Sequence, residues 1–496
     1  MKHARAWTAL LLAGLLAGPV CLAAPSPKVT YSQEYRRLTA EFQRRRHAQA
    51  FAMLEQMLKK YKAPAQTQEL RLLKAEKLGE TGKHAEALKE LASLRDAFKE
   101  DKTLQAQSLL FSAASLRGLK RFPEAVATYQ KVAKDFAAQP DRAAEALVRA
   151  ADVLGTDLKK YPEALASYAA VEKQFPKLTR RCGDAVLKIA TINETQTKDL
   201  LKAAAAYAKL TSTYAALHPP HILAGHYTKQ AACLRGAKKL PEALAALKKG
   251  EKALQDVRQR TPMALAQLGV LMEMKNYPGV RGEADRIICE YPLELDTCQA
   301  AQTRVVDAYR AESKFAECLG SARTLYDAAG SEKNIRAAAH VVARGFRSVD
   351  GNLARANVFL AYQRFGPLGK DGKPNTPDDQ KVNHLPAVRY PASTAARNQL
   401  FTAAIKAQPK TYLGYRTGAY LYVYWGKPKE AAQQFRLAFQ ISDDSLVPQA
   451  AHELVLVGLK AYRASFAGLD SVFEYISYGP KGKDGKQNIP NPFQGL

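Results

Sequence analysis

Apolar residues recur at helical spacing along most of the chain, and the recurrence breaks at regular points. Between residues 103 and 137, Leu109, Ala113 and Leu116 stand at i, i+4 and i+7, one stripe of a helix. Gly118-Leu119-Lys120-Arg121 interrupts that stripe, and Ala125, Tyr129, Val132 and Phe136 then form a second at i, i+4, i+7 and i+11. Pro123 suits a first helical turn, where its missing N–H costs nothing. Glu124 beside it favours the positive end of the helix dipole. The pattern predicts a helix–turn–helix hairpin.

That unit repeats. Phe122-Pro123-Glu124-Ala125 returns as Tyr161-Pro162-Glu163-Ala164 and as Leu240-Pro241-Glu242-Ala243, with degenerate copies from His47, His84, Leu200, Tyr277, Phe315 and Leu353. The steps between first residues are 37, 38, 39, 39, 40, 37, 38 and 38. On the second helix Ala87, Ala125, Ala164, Ala203 and Ala243 are each followed four residues on by Leu91, Tyr129, Tyr168, Tyr207 and Leu247. On the first helix an Ala-x-x-Leu pair recurs at Ala75 and Leu78, Ala113 and Leu116, Ala151 and Leu154, and Ala231 and Leu234. Small residues recur where two helices approach closely, and large ones fill the space beside them. Neither stripe can be buried by one hairpin alone, so each unit needs its neighbour, as in a solenoid.

These residues resemble tetratricopeptide repeats. The family pattern has a small residue on the first helix and an aromatic or Leu three residues later, then Ala near the start of the second helix and an aromatic four on. Ala113, Leu116, Ala125 and Tyr129 occupy those places. The resemblance covers residues 31 to 365 and again about 395 to 467. It implies an all-α, right-handed superhelical solenoid of antiparallel helix hairpins whose groove holds a protein or peptide. The family repeat is about 34 residues; the longer period here predicts longer helices or loops.

The pattern breaks after Phe365. Gly366-Pro367-Leu368-Gly369-Lys370-Asp371-Gly372-Lys373-Pro374 reads as loop and has a twin at Gly479-Pro480-Lys481-Gly482-Lys483-Asp484-Gly485-Lys486. The organisation expected is a signal peptide at 1–24, a solenoid at 25–365 and a Gly/Pro/Asp-rich insertion at 366–392. Further repeats with a capping helix follow at 393–467, and a tail at 468–496. Asp371, Asn375, Asp378 and Asp379 offer oxygens to Ca²⁺, but EF-hand spacing and its terminal Glu are missing. Paired rigid turns docking on the solenoid are the reading preferred, and no cofactor or metal is expected.

The N-terminal assignment rests on Lys2 and Arg5 ahead of an apolar run from Ala6 to Ala24 with a small-residue exit, the form of a secretory signal. It predicts an exported protein, periplasmic or secreted, with no membrane span after cleavage. Cys182, Cys233, Cys289, Cys298 and Cys318 remain, an odd number; Cys289 and Cys298 are the close pair, either bridged or buried as thiols. The formal charge is +27, spread through every repeat with one dense block at Arg44-Arg45-Arg46. With export, that charge points away from nucleic acid and toward an anionic envelope polymer as the alternative partner.

Candidate chemistry is sparse. His218-Pro219-Pro220-His221 with His226 is a histidine cluster without a carboxylate near in sequence, so it reads as a turn. Glu312-Ser313 resembles the catalytic Glu-Ser of soluble lytic transglycosylases, but no lysozyme-like domain follows it. A non-catalytic binding scaffold is expected, with a peptidoglycan-associated enzyme subunit as a lesser alternative. The partner surface is placed on the aromatic run from Tyr412 to Trp425. With Tyr415, Ala419 and Tyr422 as its core stripe, Arg416, Tyr420 and Tyr424 fall at i, i+4 and i+8 on a neighbouring face, and Tyr with Arg is the composition of interface hot spots. The alternative is that these aromatics pack against the loop at 366–390 or the tail.

Overall fold

The computed structural model describes residues 30–349 and 393–459, with single positions at 357, 364, 370, 371 and 391. The expected signal peptide, most of the 366–392 insertion, the end of the capping segment and the twin loop in the tail lie outside the described residues. Among the described residues all regular structure is helical. The chain forms two compact units that divide between Arg181 and Cys182.

In the first unit the helices are α1 (Tyr31–Gln43), α2 (His47–Lys60), α3 (Pro64–Glu80), α4 (His84–Ala97), α5 (Lys102–Gly118), α6 (Phe122–Asp135), α7 (Pro140–Asp152) and α8 (Tyr161–Gln174). α9 (Thr179–Thr195) opens at the division. The second unit continues with α10 (Leu200–Ser212), α11 (Pro220–Gly236), α12 (Leu240–Ala253), α13 (Val257–Glu273), α14 (Tyr277–Glu290), α15 (Leu295–Ala311), α16 (Phe315–Ala328) and α17 (Glu332–Val349). After the insertion come α18 (Ala395–Lys406), α19 (Tyr412–Trp425), α20 (Pro428–Gln440) and α21 (Val447–Glu453), the last running on as a π-helical segment Leu454–Leu459.

Each second helix from α2 to α16 begins at the first residue of the recurring phrase. The turn before it has a fixed backbone. Arg45, Gly82, Lys120, Lys159, Lys198, Lys238, Lys275 and Ser313, each two residues ahead of the phrase, hold φ between 56° and 82°, and Gly426 does the same before Pro428 at φ 80°. This left-handed residue closes the first helix. In most of these turns the amide after it donates back into the last turn, Arg121 N to Leu116 O at 2.9 Å and Lys239 N to Leu234 O at 2.8 Å, as in a Schellman cap, whereas after Lys198 the Asp199 amide donates to the Thr197 hydroxyl.

The long period comes from long helices. First helices α3, α5, α9, α11, α13 and α15 each span 17 residues. Second helices α2, α4, α6, α8, α12, α14 and α16 each span 14. Variation lies in the joints. A π turn at Val153–Asp157 precedes the 39-residue step to Tyr161, and a 3₁₀ turn at Ala215–Leu217 lies within the 40-residue step from Leu200.

The predicted register is the core. Ala87, Ala125, Ala164, Ala203 and Ala243 are fully buried, and Leu91, Tyr129, Tyr168, Tyr207 and Leu247 beneath them are buried too. Ala50 and Leu54, Cys318 and Ala322, and Ala431 and Phe435 hold the same places in degenerate copies. On the first helices Ala75, Leu78, Ala113, Leu116, Ala151, Leu154 and Ala231 are buried, whereas Leu234 is half-buried.

In the second unit α18 and α19 fold back on α14 and α16. Phe401, Tyr420, Tyr424 and Phe435 join Ala284, Ile287 and Ile288 in one apolar core. An ion pair fastens the joint: Arg397 Nε lies 3.1 Å from Asp285, and Arg397 Nη2 donates to the Tyr424 carbonyl at 2.7 Å.

Candidate functional site

The face assigned to a partner is not a face. Tyr420 is fully buried, Tyr424 is 2% exposed, and Arg416 retains 15% side-chain exposure. Arg416 Nε donates to both Glu453 oxygens at 2.8 Å, and the Tyr420 hydroxyl donates to the same carboxylate at 3.2 Å. The Tyr420 ring meets Phe435 edge-on at 5.3 Å, and a Cβ at Gly330 would sit 2.8 Å from its hydroxyl. Burial pushes the Tyr420 and Tyr424 phenols well above their ordinary range. The expected core stripe is rotated accordingly. Ala419 is buried, but Tyr415 and Tyr422 are half-buried. The physical reason is that α19 contacts helices on several sides, α14, α16, α18 and α20, so its buried arc is wider than one hairpin requires.

The other singled-out residues also become structural. His226 is 6% exposed, its ring 4.8 Å from that of His218 and 5.9 Å from that of Tyr207. Burial, with His218 and Lys229 adding to it, lowers its pKa to about 4. No three His, Cys, Asp or Glu side chains gather in metal-holding geometry among the described residues. Glu312 and Ser313 form the turn before α16, with Ser313 left-handed at φ 60°. Burial raises the Glu312 carboxyl, but hydrogen bonds from Arg281 and Lys314 outweigh it, and the net direction is down. That is opposite to what a general acid needs. The five described cysteines are free thiols, and the buried Cys298 donates to the Tyr291 carbonyl at 3.1 Å.

Among the described residues each unit holds a concavity. In the first unit a groove of 380 Å³ opens along α1, α3 and α5, three successive first helices. Tyr35, Leu72, Leu73 and Leu104 give it apolar floor, and Glu69, Glu76 and Asp101 give it charge. Tyr31 fixes Glu69 by donating to its carboxylate at 2.6 Å. Burial, helped by Glu69, pushes the Tyr35 hydroxyl up to about 12. Burial also raises the Glu76 carboxyl, with Lys77 opposing and Glu80 adding to the rise. In a chain of net charge +27, this groove is locally acidic.

In the second unit a cavity of 310 Å³ lies between α14, α15, α16 and α18. Pro278, Val305, Tyr309 and Leu400 form apolar wall, and Arg281, Asp285, Gln302, Ser321, Thr324 and Arg397 supply polar groups. The Arg281 guanidinium lies 4.7 Å from the Tyr309 ring centre and pairs with Glu312. Burial raises the Asp285 carboxyl, with Arg397 opposing. Gln302 Nε2 donates to the Ser321 carbonyl at 3.2 Å. The Ser321 hydroxyl, on a fully buried residue, has no hydrogen-bond partner among the described residues. Sequence reasoning missed both concavities; in the second unit Arg397 and Asp285 stand 112 residues apart and no local pattern joins them.

No protein-family model matches the chain, and no curated protein matches it. Among solved structures it is similar to that of Naa15/Naa10 bound to HypK-THB, at 15% identity and TM-score 0.31, over 87% of this chain and 67% of that one. It is also similar to the TPR domain of P58(IPK), at 13% identity and TM-score 0.20, over 80% of this chain and 97% of that one. No helix among the described residues is long and apolar enough to cross a membrane. Serial hairpins, with a small residue three places into most second helices and a left-handed closing turn before them, give the chain the helical-repeat fold that its resemblance to tetratricopeptide repeats implies.

Proposed function

We propose that the chain is an exported, non-catalytic scaffold that holds an envelope protein or peptide on the faces of its first helices. The observation that supports this most is the groove along α1, α3 and α5, where successive first helices leave apolar floor and carboxylates together. Its composition favours an extended or helical segment presenting apolar side chains beside Lys or Arg. Export rests on the residue 1–24 pattern.

The test is fluorescence anisotropy with labelled peptides alternating Leu and Lys, against matched Leu and Glu peptides. Binding of the basic set, abolished by Glu69→Lys with Glu76→Lys, is expected. Equal binding of both sets, or indifference to the double substitution, overturns the groove assignment. The net charge of +27 favours a second reading, an anionic envelope polymer gripped by the outer faces. Salt separates them: polymer binding collapses as ionic strength rises, whereas contact with the apolar floor persists.

A further inference from the structure

We propose that the groove along α1, α3 and α5 takes an amphipathic α-helix of the partner protein in one register, with two cations seven residues apart and apolar side chains between them. The inference rests on the groove reading above and adds conformation and spacing to it. Its basis is the way α3 lines the groove. Glu69, Leu72, Leu73 and Glu76 all face it, at i, i+3, i+4 and i+7, one face of a helix. The stripe reads acid, apolar, apolar, acid. Tyr35 on α1 and Leu104 on α5 complete the apolar surface beside it. The charge is not cancelled within the fold. No Lys or Arg lines the groove among the described residues. Lys77 stands 3.6 Å from Glu76, but Glu80 holds it at 2.8 Å, so two carboxylates share that one cation. Glu69 is exposed and is held by the Tyr31 hydroxyl at 2.6 Å rather than by a cation.

Spacing selects the conformation of the occupant. Seven residues of helix place Glu69 and Glu76 about 10.5 Å apart along the axis of α3. A partner helix lying along α3 returns to the same face after seven residues and matches that interval. A β-strand does not, because its same-face residues fall at about 6.6 and 13.2 Å. The groove volume, 380 Å³, admits side chains rather than a whole backbone, so the partner rests on the three helices and inserts side chains between them. Leu72 is half-buried and Leu73 is 7% exposed, so apolar residues at the partner's i+3 and i+4 finish covering them. The complement is Lys-x-x-Leu-Leu-x-x-Lys. It reads the same in both directions, as the stripe on α3 does. Glu76 keeps 36% side-chain exposure, enough to be reached by a partner's ammonium.

The experiment is fluorescence anisotropy of the full chain with labelled Ala-rich peptides of about 18 residues, long enough to hold a helix. One carries Lys at i and i+7 with Leu at i+3 and i+4. A second has the same composition with Lys at i and i+5, which puts the two cations on different faces. A third keeps the first spacing but has Pro at its centre, which breaks the helix. The first is expected to bind about tenfold tighter than the other two, the effect of two partly exposed ion pairs. Glu69→Gln and Glu76→Gln each weaken it about two- to fivefold and leave the second peptide unchanged. Glu76→Lys restores binding to a peptide with Glu in place of one Lys. If the three Lys peptides and the alternating Leu and Lys peptide bind alike, the register is refuted while the groove stands. If no Lys peptide binds, or Leu and Glu peptides bind as well, the groove reading falls and the register with it. Melting temperatures of the variants, measured alongside, separate lost binding from lost fold.

Discussion

Glu251 is the residue whose removal most directly tests how the second unit is held together. It sits near the end of α12, 5% exposed, and four donor contacts converge on it. Gln267 Nε2 on α13 donates at 2.5 Å, Arg286 Nη2 on α14 reaches both oxygens at 2.9 Å, and the Tyr291 hydroxyl donates at 2.9 Å. Glu251→Ala leaves two of these donors stranded. Gln267 is fully buried and Tyr291 is 4% exposed, so neither recovers its bond readily from water. A stranded buried donor costs about 1–3 kcal/mol. Arg286 adds less, because it keeps Glu283 and Glu290 and remains 33% exposed. The expected loss is about 3–5 kcal/mol, in the range for breaking a buried ionic network from one side. Glu251→Gln keeps two acceptor directions without the charge and should cost about half of that. A linear array can unfold in pieces, so the readout is hydrogen exchange of α12–α14 by mass spectrometry beside urea denaturation. Tyr291→Phe in the same background closes a double-mutant cycle, with an expected coupling of at least about 1 kcal/mol. A loss below about 1 kcal/mol for Glu251→Ala, or strict additivity with Tyr291→Phe, would refute the network.

Four further outcomes are expected. Ala164 is fully buried, so Ala164→Phe should overpack its hairpin and cost about 1–3 kcal/mol by urea denaturation, whereas Ala→Phe at an exposed helical position should cost far less. Gly82 holds φ 82° with open space around an added Cβ, so Gly82→Ala should cost about 1 kcal/mol from backbone strain alone, and Lys120→Gly should recover a few tenths. His226 is neutral in the fold with a pKa near 4, against about 6.5 unfolded. Protonation of the unfolded chain should therefore weaken stability as pH falls from about 6.5 toward 4, by up to about 3 kcal/mol. His226→Phe should flatten the melting-temperature profile in that window. Arg416→Ala should lower stability by about 3–5 kcal/mol by leaving the buried Glu453 charge without its cation and with only the Tyr420 hydroxyl, and a peptide bound in the groove of the first unit should be indifferent to it.

Helix starts were legible because the phrase Pro-Glu-Ala states them chemically. Proline at the first turn, glutamate at the dipole's positive end and alanine at the close approach all act within four residues. The left-handed turn residue was not legible. Glycine announces it at Gly82 and Gly426, but Lys120, Lys159, Lys198, Lys238 and Lys275 adopt the same φ with a side chain that gives no sign of it. At Lys120, Lys238 and Lys275 a six-to-one backbone bond imposes a conformation that propensity disfavours. The period carried real geometry too, since two of its three longest steps contain the π turn before Leu158 and the 3₁₀ turn before His218. The cavity of the second unit was illegible for a different reason. Asp285 and Arg397 meet only because α18 folds back past the insertion, and no periodicity extends across that gap.

The misplacement of the aromatic face follows from the same fact. In α5 or α11 a first helix packs on its own partner and on adjoining helices of the row, so hairpin register predicts which side is buried. α19 has no more neighbours than α5, but two of them, α14 and α16, come from before the insertion and lie outside its own run of hairpins. Gly414 and Gly418 are buried on it, and a Cβ at Gly414 would collide with the Pro409 carbonyl, so close approach there has no room for a larger residue. Tyrosine is the efficient filler for such a site, since one ring spans the gap and one hydroxyl satisfies a buried carboxylate, as Tyr420 does for Glu453. The residue types that make a hot spot on a surface are therefore the ones that close a crowded core. What distinguishes the two is which helices cover the face, and that depends on where the chain returns after its insertion.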